Sequence, residues 1–243
     1  MQPVISRKSR VIAVLPAMFV PVIAAYIYFI MFNDTKFAAF IYFIAKCFIL
    51  LWPIMAHLYI IKGKVIIGGF RIKHHIGAIA MGLGTGLIAF STIFGLYQWS
   101  PLGTYILNYA PKIIAQIKGQ GYAEHYIALA LFITVFHSLL EEYYWRWFVY
   151  GHLSKLISHR PAAIIGSIAF AGHHYVVLSQ FISPWGTFWL GSAVGLGGYF
   201  WCYLYREQKT LVGSWACLPF AVFDARNYST IYKYIRVYIT YMR

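Results

Sequence analysis

The chain has 243 residues, of which 61% are hydrophobic and 11% charged, with a net charge of +14 and a mean hydropathy of +0.66. Soluble domains are about 45–50% apolar and about 25% charged, so this composition excludes an ordinary soluble enzyme, a disordered chain and a secreted disulfide scaffold. A bilayer is the natural solvent, and a helix satisfies its own backbone there.

The expectation is an all-α fold: a polytopic integral membrane helical bundle of about seven transmembrane helices (about six to eight), forming one transmembrane domain over 1–243. Arg7, Lys8 and Arg10 precede an apolar stretch at 11–32. A signal peptide has a shorter apolar region of about 7–15 residues, so this stretch reads as an uncleaved first span. Further apolar segments lie at 38–60, 76–97, 126–150, 161–182, 186–204 and 210–224. Each is near the roughly 20 residues a spanning helix needs, the last being short. The 98–125 connection holds Pro101, Gly103, Pro111 and Gly119 around an apolar patch at 105–117, which predicts a short interfacial helix. Gly82, Gly84 and Gly86, and again Gly191, Gly195, Gly197 and Gly198, supply small faces for close helix approach.

Lys and Arg collect at the N-terminus, at 61–75 (Lys62, Lys64, Arg71, Lys73), at 152–160 (Lys155, Arg160) and at Arg206 and Lys209, whereas the alternate loops hold Lys36, Lys112 and Lys118. This asymmetry predicts a cytoplasmic N-terminus. The basic, aromatic tail after Asp224 follows a seventh crossing or lies in the interface. No Lys/Arg-rich stripe interleaves with exposed aromatics, so no nucleic-acid partner is expected. The expected partners are membrane lipid and a membrane-bound peptide or protein substrate, and the oligomeric state stays open. Cys47, Cys202 and Cys217 are far apart in apolar runs. They read as small buried hydrophobes, with neither a disulfide framework nor a thiolate metal site.

The acids number six: Asp34, Glu124, Glu141, Glu142, Glu207 and Asp224. An ionisable residue at mid-helix costs about 2.5–3.5 kcal/mol on translocon scales, so such residues are functional candidates by default. Here they are Lys46, His137, Glu141, Glu142, Arg146, His173, His174 and Asp224. On an α-helix Glu142 and Arg146 are i,i+4 neighbours in the favourable order, and His137 and Glu141 form a second i,i+4 pair. The two carboxylates then point about 100° apart, each with its own partner. Different partners give adjacent acids different pKa values and different roles. The bland alternative is a helix-end ion pair between Glu142 and Arg146, which leaves Glu141 unexplained. Phe170, His173 and His174 form a second polar centre in an otherwise apolar segment. Of the two histidines only His174 shares a face with Phe170, unless both simply bond tyrosines of neighbouring helices. Asp224, with Asn227 beyond it, is a third centre or a plain interfacial charge.

Glu141-Glu142-Tyr-Tyr-Trp-Arg146 matches an EExxxR motif, and Phe170-Ala-Gly-His173-His174 matches an FxxxH motif on the next helix. Together they resemble the CAAX protease and bacteriocin-processing (CPBP, or Abi) family of intramembrane glutamic endopeptidases. The resemblance covers a catalytic core at about 120–227, and the N-terminal half matches only in hydropathy. It implies that Glu141 is the general base, Glu142 and Arg146 the supporting pair, and His174 the first catalytic histidine. It also implies a later His-xxx-Asn/Asp pair. There the chain departs: no histidine follows His174, Asp224 falls at the Asn/Asp position, and Phe220 stands where the histidine belongs. Losing one oxyanion donor typically costs about 10²–10³ in rate. Three alternatives follow: His173 or His137 substitutes, a tyrosine such as Tyr144 or Tyr175 donates, or the scaffold has lost proteolysis.

The reading is thus hydrolysis of a peptide bond in a membrane-associated polypeptide by a glutamate-activated water, with no metal and no cofactor. A prenylated CAAX tail is the eukaryotic case of such a substrate, whereas a short unadorned chain points to a bacterial inner membrane. A zinc protease built on Glu141, His173 and His174 is disfavoured because no HExxH or close-spaced ligand triplet occurs. A transporter is disfavoured by the lack of an inverted repeat. A non-proteolytic scaffold or bacteriocin-immunity protein is the principal rival, and the missing late histidine favours it.

Overall fold

The computed structural model describes residues 6–33, 35–63, 75–119, 125, 128 and 131–222, and every regular element among them is helical. In chain order these are α1 (Arg7–Tyr26), α2 (Lys36–Met55), α3 (Ile76–Trp99), α4 (Pro101–Gly119), α5 (Ser138–Glu141), α6 (Gly151–Leu153), α7 (His159–Ser179), α8 (Pro184–Gln208) and α9 (Val212–Val222). Segments of π-helix continue α1 (Ile27–Met31) and α2 (Ala56–Ile60), and two more, Ile133–His137 and Glu142–Tyr150, flank α5. The chain divides into two compact units: residues 1–73 with 140–211, and residues 74–139 with 212–243.

In the first unit, α2 begins where Thr35 Oγ1 accepts the Ala38 N–H at 3.1 Å. Likewise α8 begins where Ser183 Oγ accepts the Gly186 N–H at 3.2 Å, with Pro184 leading the helix. Both are the side-chain caps that a helix start favours. Pro16, Pro21 and Pro53 lie inside α1 and α2. Membrane helices re-satisfy the backbone groups that proline frees partly by π winding of this kind.

Lipid tails are as apolar as leucine, so helices associate through close packing and interhelical hydrogen bonds rather than through a hydrophobic drive. Three such bonds tie α1, α2 and the Glu142–Tyr150 segment together. Trp52 Nε1 donates to the Ala13 carbonyl at 2.9 Å, the Tyr144 hydroxyl to Ala17 at 2.8 Å, and the Tyr143 hydroxyl to Leu50 at 3.1 Å. Close packing joins α7 to α8. A Cβ on Gly198 would lie 3.0 Å from the Phe170 ring, one on Gly195 3.4 Å from the Ala171 Cβ, and one on Gly191 inside the Tyr175 ring. The small face expected at Gly191, Gly195 and Gly198 is therefore the seam between these helices. In the second unit Gly82 of α3 lies against the backbone of Gly213 in α9, and Trp215 Nε1 donates to the Val135 carbonyl at 3.0 Å.

Four helices among the described residues are long and apolar enough to cross a membrane: Arg7–Met31, Lys36–Ile60, Ile76–Trp99 and His159–Ser179. They coincide with four of the expected spans. The 186–204 segment lies within α8, which is long enough but diluted by glycine, tyrosine and tryptophan. Part of the 126–150 segment lies outside the described residues, and the rest alternates between π and α winding. The described part of the 210–224 segment is the 11-residue α9. The helix expected over 105–117 is longer than its apolar patch, at 19 residues, with Pro111 inside it. Large apolar side chains stand bare on the outer faces, Ile168 and Leu196 being 68% and 73% exposed, as lipid-facing positions require.

Candidate active site

The segment Glu142–Tyr150 packs six aromatic residues around one arginine and winds as a π-helix. Such segments are uncommon and often mark functional sites. The change of winding falls between the two adjacent carboxylates: Glu141 closes α5 and Glu142 opens the π segment. The regular α-helical stepping expected across this pair is therefore corrected, although the local Glu142–Arg146 pairing survives.

Arg146 Nη1 lies 3.0 Å from Glu142 Oε1, with both side chains within 1% of full burial. The guanidinium carbon sits 4.6 Å from the Phe170 ring centre and 4.9 Å from that of Trp201, within cation–π range. The ion pair is thereby enclosed by aromatic rings from α7 and α8. The pair is closed off from solvent.

Glu141 is different. It is 17% exposed, and its Oε1 lies 3.8 Å from Nε2 of His173 on α7, which is 19% exposed. The His173 ring lies parallel to Trp145, with 5.7 Å between centres. The His173 and His174 rings adjoin at 4.0 Å. His174 Nδ1 is 3.1 Å from the Phe170 carbonyl oxygen. A carbonyl only accepts, so Nδ1 is the donor of that bond. One ligand-competent atom from each of Glu141, His173 and His174 lies within 4.8 Å of the others. Lys46 of α2 lies within electrostatic reach of Glu141.

The other expected site residues divide. Phe170 is buried and packs on Trp145, Trp201 and both histidines, so it shapes the wall behind the site. The Tyr144 hydroxyl is fully buried in its bond to Ala17, and the Tyr175 hydroxyl bonds Ser192 Oγ at 2.7 Å. Both are helix-to-helix ties, because their O–H groups are committed to neighbouring elements. His137 closes the Ile133–His137 segment in the other compact unit. Asp224 and Asn227 lie outside the described residues.

Sequence reasoning passed over Trp145 and Trp201, the rings that hold His173 and Arg146. Trp145 lies inside the EExxxR motif itself, which was the available signal. It also read 152–160 only as an orientation signal. His152 there is 3% exposed. Its Nδ1 accepts from Arg10 Nη1 at 2.9 Å, and its Nε2 lies 3.3 Å from His57 Nδ1. Burial pushes its pKa down to about 3, with Lys155, Arg10 and His57 adding repulsion.

Residues 123–218 match the model of a protein family described as Rce1-like, type II CAAX prenyl endopeptidase Rce1-like. The match contains both motifs and ends ahead of Asp224. The resemblance carried by Glu141, Glu142, Arg146, Phe170 and His174 is thus found independently. No curated protein and no solved structure matches the chain. The family named is one of endopeptidases, and four helices of the chain are long and apolar enough to cross a membrane.

Proposed function

We propose that this chain, Rce1-like over residues 123–218, is an intramembrane endopeptidase that hydrolyses a peptide bond of a membrane-associated polypeptide with water activated by Glu141. The observation that carries this reading is the convergence of Glu141 with His173 and His174 beside a sealed Glu142–Arg146 pair. Glu141 is the partly exposed carboxylate, so it is the one a water molecule reaches. It accepts a proton from water as the water oxygen attacks the scissile carbonyl. His174, held by its Nδ1 bond to the Phe170 carbonyl, orients that water. His173, stacked on Trp145 with Nε2 toward Glu141, donates to the tetrahedral oxyanion in place of the absent later histidine. Glu141 then returns its proton to the leaving amine. Positioned acid–base groups contribute about 10²–10⁴ in rate, and a low-dielectric setting strengthens the oxyanion contact.

The finer assignments belong to the same reading: about seven spans, a cytoplasmic N-terminus in a bacterial inner membrane, and a catalytic core over about 120–227 within one transmembrane domain. Asp224 belongs to this reading as the acid at the Asn/Asp position of the late motif. The experiment is proteolysis of a membrane-polypeptide mixture by the purified chain in liposomes, with wild type, Glu141→Gln and His174→Ala compared by mass spectrometry of the products. Wild type is expected to cleave, Glu141→Gln to lose at least about 10²-fold, and His174→Ala to fall markedly. A second reading, a non-proteolytic scaffold or immunity protein, is favoured by one observation: no histidine follows His174. Cleavage abolished by Glu141→Gln excludes it, and a folded wild type without cleavage supports it.

A further inference from the structure

The tandem histidine places a second imidazole beside the carboxylate, and the three side chains together form a donor set of two nitrogens and one carboxylate oxygen. One donor atom from each of Glu141, His173 and His174 lies within 4.8 Å of the others. Tetrahedral zinc holds N and O ligands at about 2.0–2.2 Å, which puts ligand atoms roughly 3.3–3.5 Å apart. Coordination draws the three donor atoms together from within 4.8 Å to that spacing. A His-His-Glu set with an open fourth position is a composition that zinc accepts. The surroundings match a metal site in two further ways. His174 donates Nδ1–H to the Phe170 carbonyl, the orienting bond that metal-bound histidines usually make through their other nitrogen. His173 is held flat against Trp145, which restricts its ring to one plane. Neither feature is legible in the linear spacing, because Glu141 and the histidines sit on different helices.

We propose that Glu141, His173 and His174 form a binding site for a zinc-type divalent cation, and that the bound cation competes with water activation by occupying the Glu141 carboxylate. The competition half of this inference rests on the proposed role of Glu141, whereas the binding half does not. A carboxylate that coordinates zinc has given up the lone pair with which it would take a proton from water. Zinc therefore acts as a reversible inhibitor, and a chelator restores the enzyme.

The test uses the purified full chain in lipid nanodiscs, stripped with chelator and titrated calorimetrically with zinc alone, with cobalt(II) absorption reporting tetrahedral coordination. Wild type is expected to take up one ion per chain. Glu141→Gln, His173→Ala and His174→Ala should each bind at least about tenfold more weakly, since even lost second-shell partners cost about 10–100-fold. His173→Asn and His174→Gln repeat the test with smaller packing changes. His159→Ala, on an exposed histidine, should bind as wild type does. Absent one-to-one binding, or binding undiminished in all three ligand variants, overturns the site. With activity measured in parallel, cleavage by the chelated enzyme that added zinc abolishes supports both halves. Zinc that binds without inhibiting overturns the competition alone. Cleavage that requires zinc overturns the competition and the metal-free mechanism together, while leaving the site standing.

Discussion

Glu141 and Glu142 are adjacent in the chain and opposite in environment. Glu142 is fully buried against Arg146, whose charge is covered by Phe170 and Trp201. Breaking a buried pair by removing one partner leaves an uncompensated charge, at a cost of about 3–5 kcal/mol. Glu142→Gln is therefore expected to lower the thermal unfolding temperature in detergent strongly, whereas Glu141→Gln should leave it close to wild type while removing activity. Equal destabilisation by the two substitutions would contradict the division of roles. Arg146→Lys keeps the charge but loses the flat face that stacks on both rings, so it should unfold below wild type and above Arg146→Ala. The same unfolding assay checks that order.

At the scale of elements, the seam between α7 and α8 fixes the face on which His173 and His174 sit. Gly191 of that seam has no room for a Cβ beside Tyr175. Overpacking a tight contact costs about 1–3 kcal/mol, so Gly191→Val should destabilise the protein and displace the histidine-bearing helix, lowering activity as well. Gly84 is the matched control. A Cβ there meets nothing within 4 Å, and replacing a helix-interior glycine by alanine gains up to about 1 kcal/mol. Gly84→Ala should therefore unfold at or above the wild-type temperature. Comparable losses from both substitutions would mean that helix approach does not govern stability here.

At the scale of the whole molecule, His152, just after the π helix, is tied to the N-terminal helix through Arg10 and to the π-helical continuation of α2 through His57. Its folded pKa is depressed from 6.5 to about 3, so between those values the unfolded chain holds the extra proton. Stability then rises with pH wherever the unfolded state binds more protons. The contribution is complete above about pH 6.5 and is lost as pH falls toward 3. Unfolding temperatures measured across that range should drop toward acid in wild type, and His152→Gln should flatten the slope.

Much of this molecule was legible in its residues. Helix lengths follow from hydropathy, and the Glu142–Arg146 pair follows from i,i+4 spacing, because both are properties of a single local segment. The π winding was not legible, since it depends on how six large aromatic rings fit against α1, α7 and α8. The rotation of α7 was hidden too. Spacing ties His174 to Phe170, yet it is His173 that faces Glu141 at 3.8 Å, because packing against Trp145 and the α8 glycines sets which face turns inward.

The central claim is that a carboxylate and an imidazole from different helices act as one catalytic unit on water. Residues that act as a unit are grossly non-additive when removed. The most direct measurement is a double-mutant cycle on peptide cleavage in liposomes with Glu141→Gln, His174→Ala and the pair, each variant first matched for folding by thermal unfolding. The double variant is predicted to be no slower than the slower single one. Losses that multiply, or a Glu141→Gln protein that cleaves at the wild-type rate, would contradict the claim.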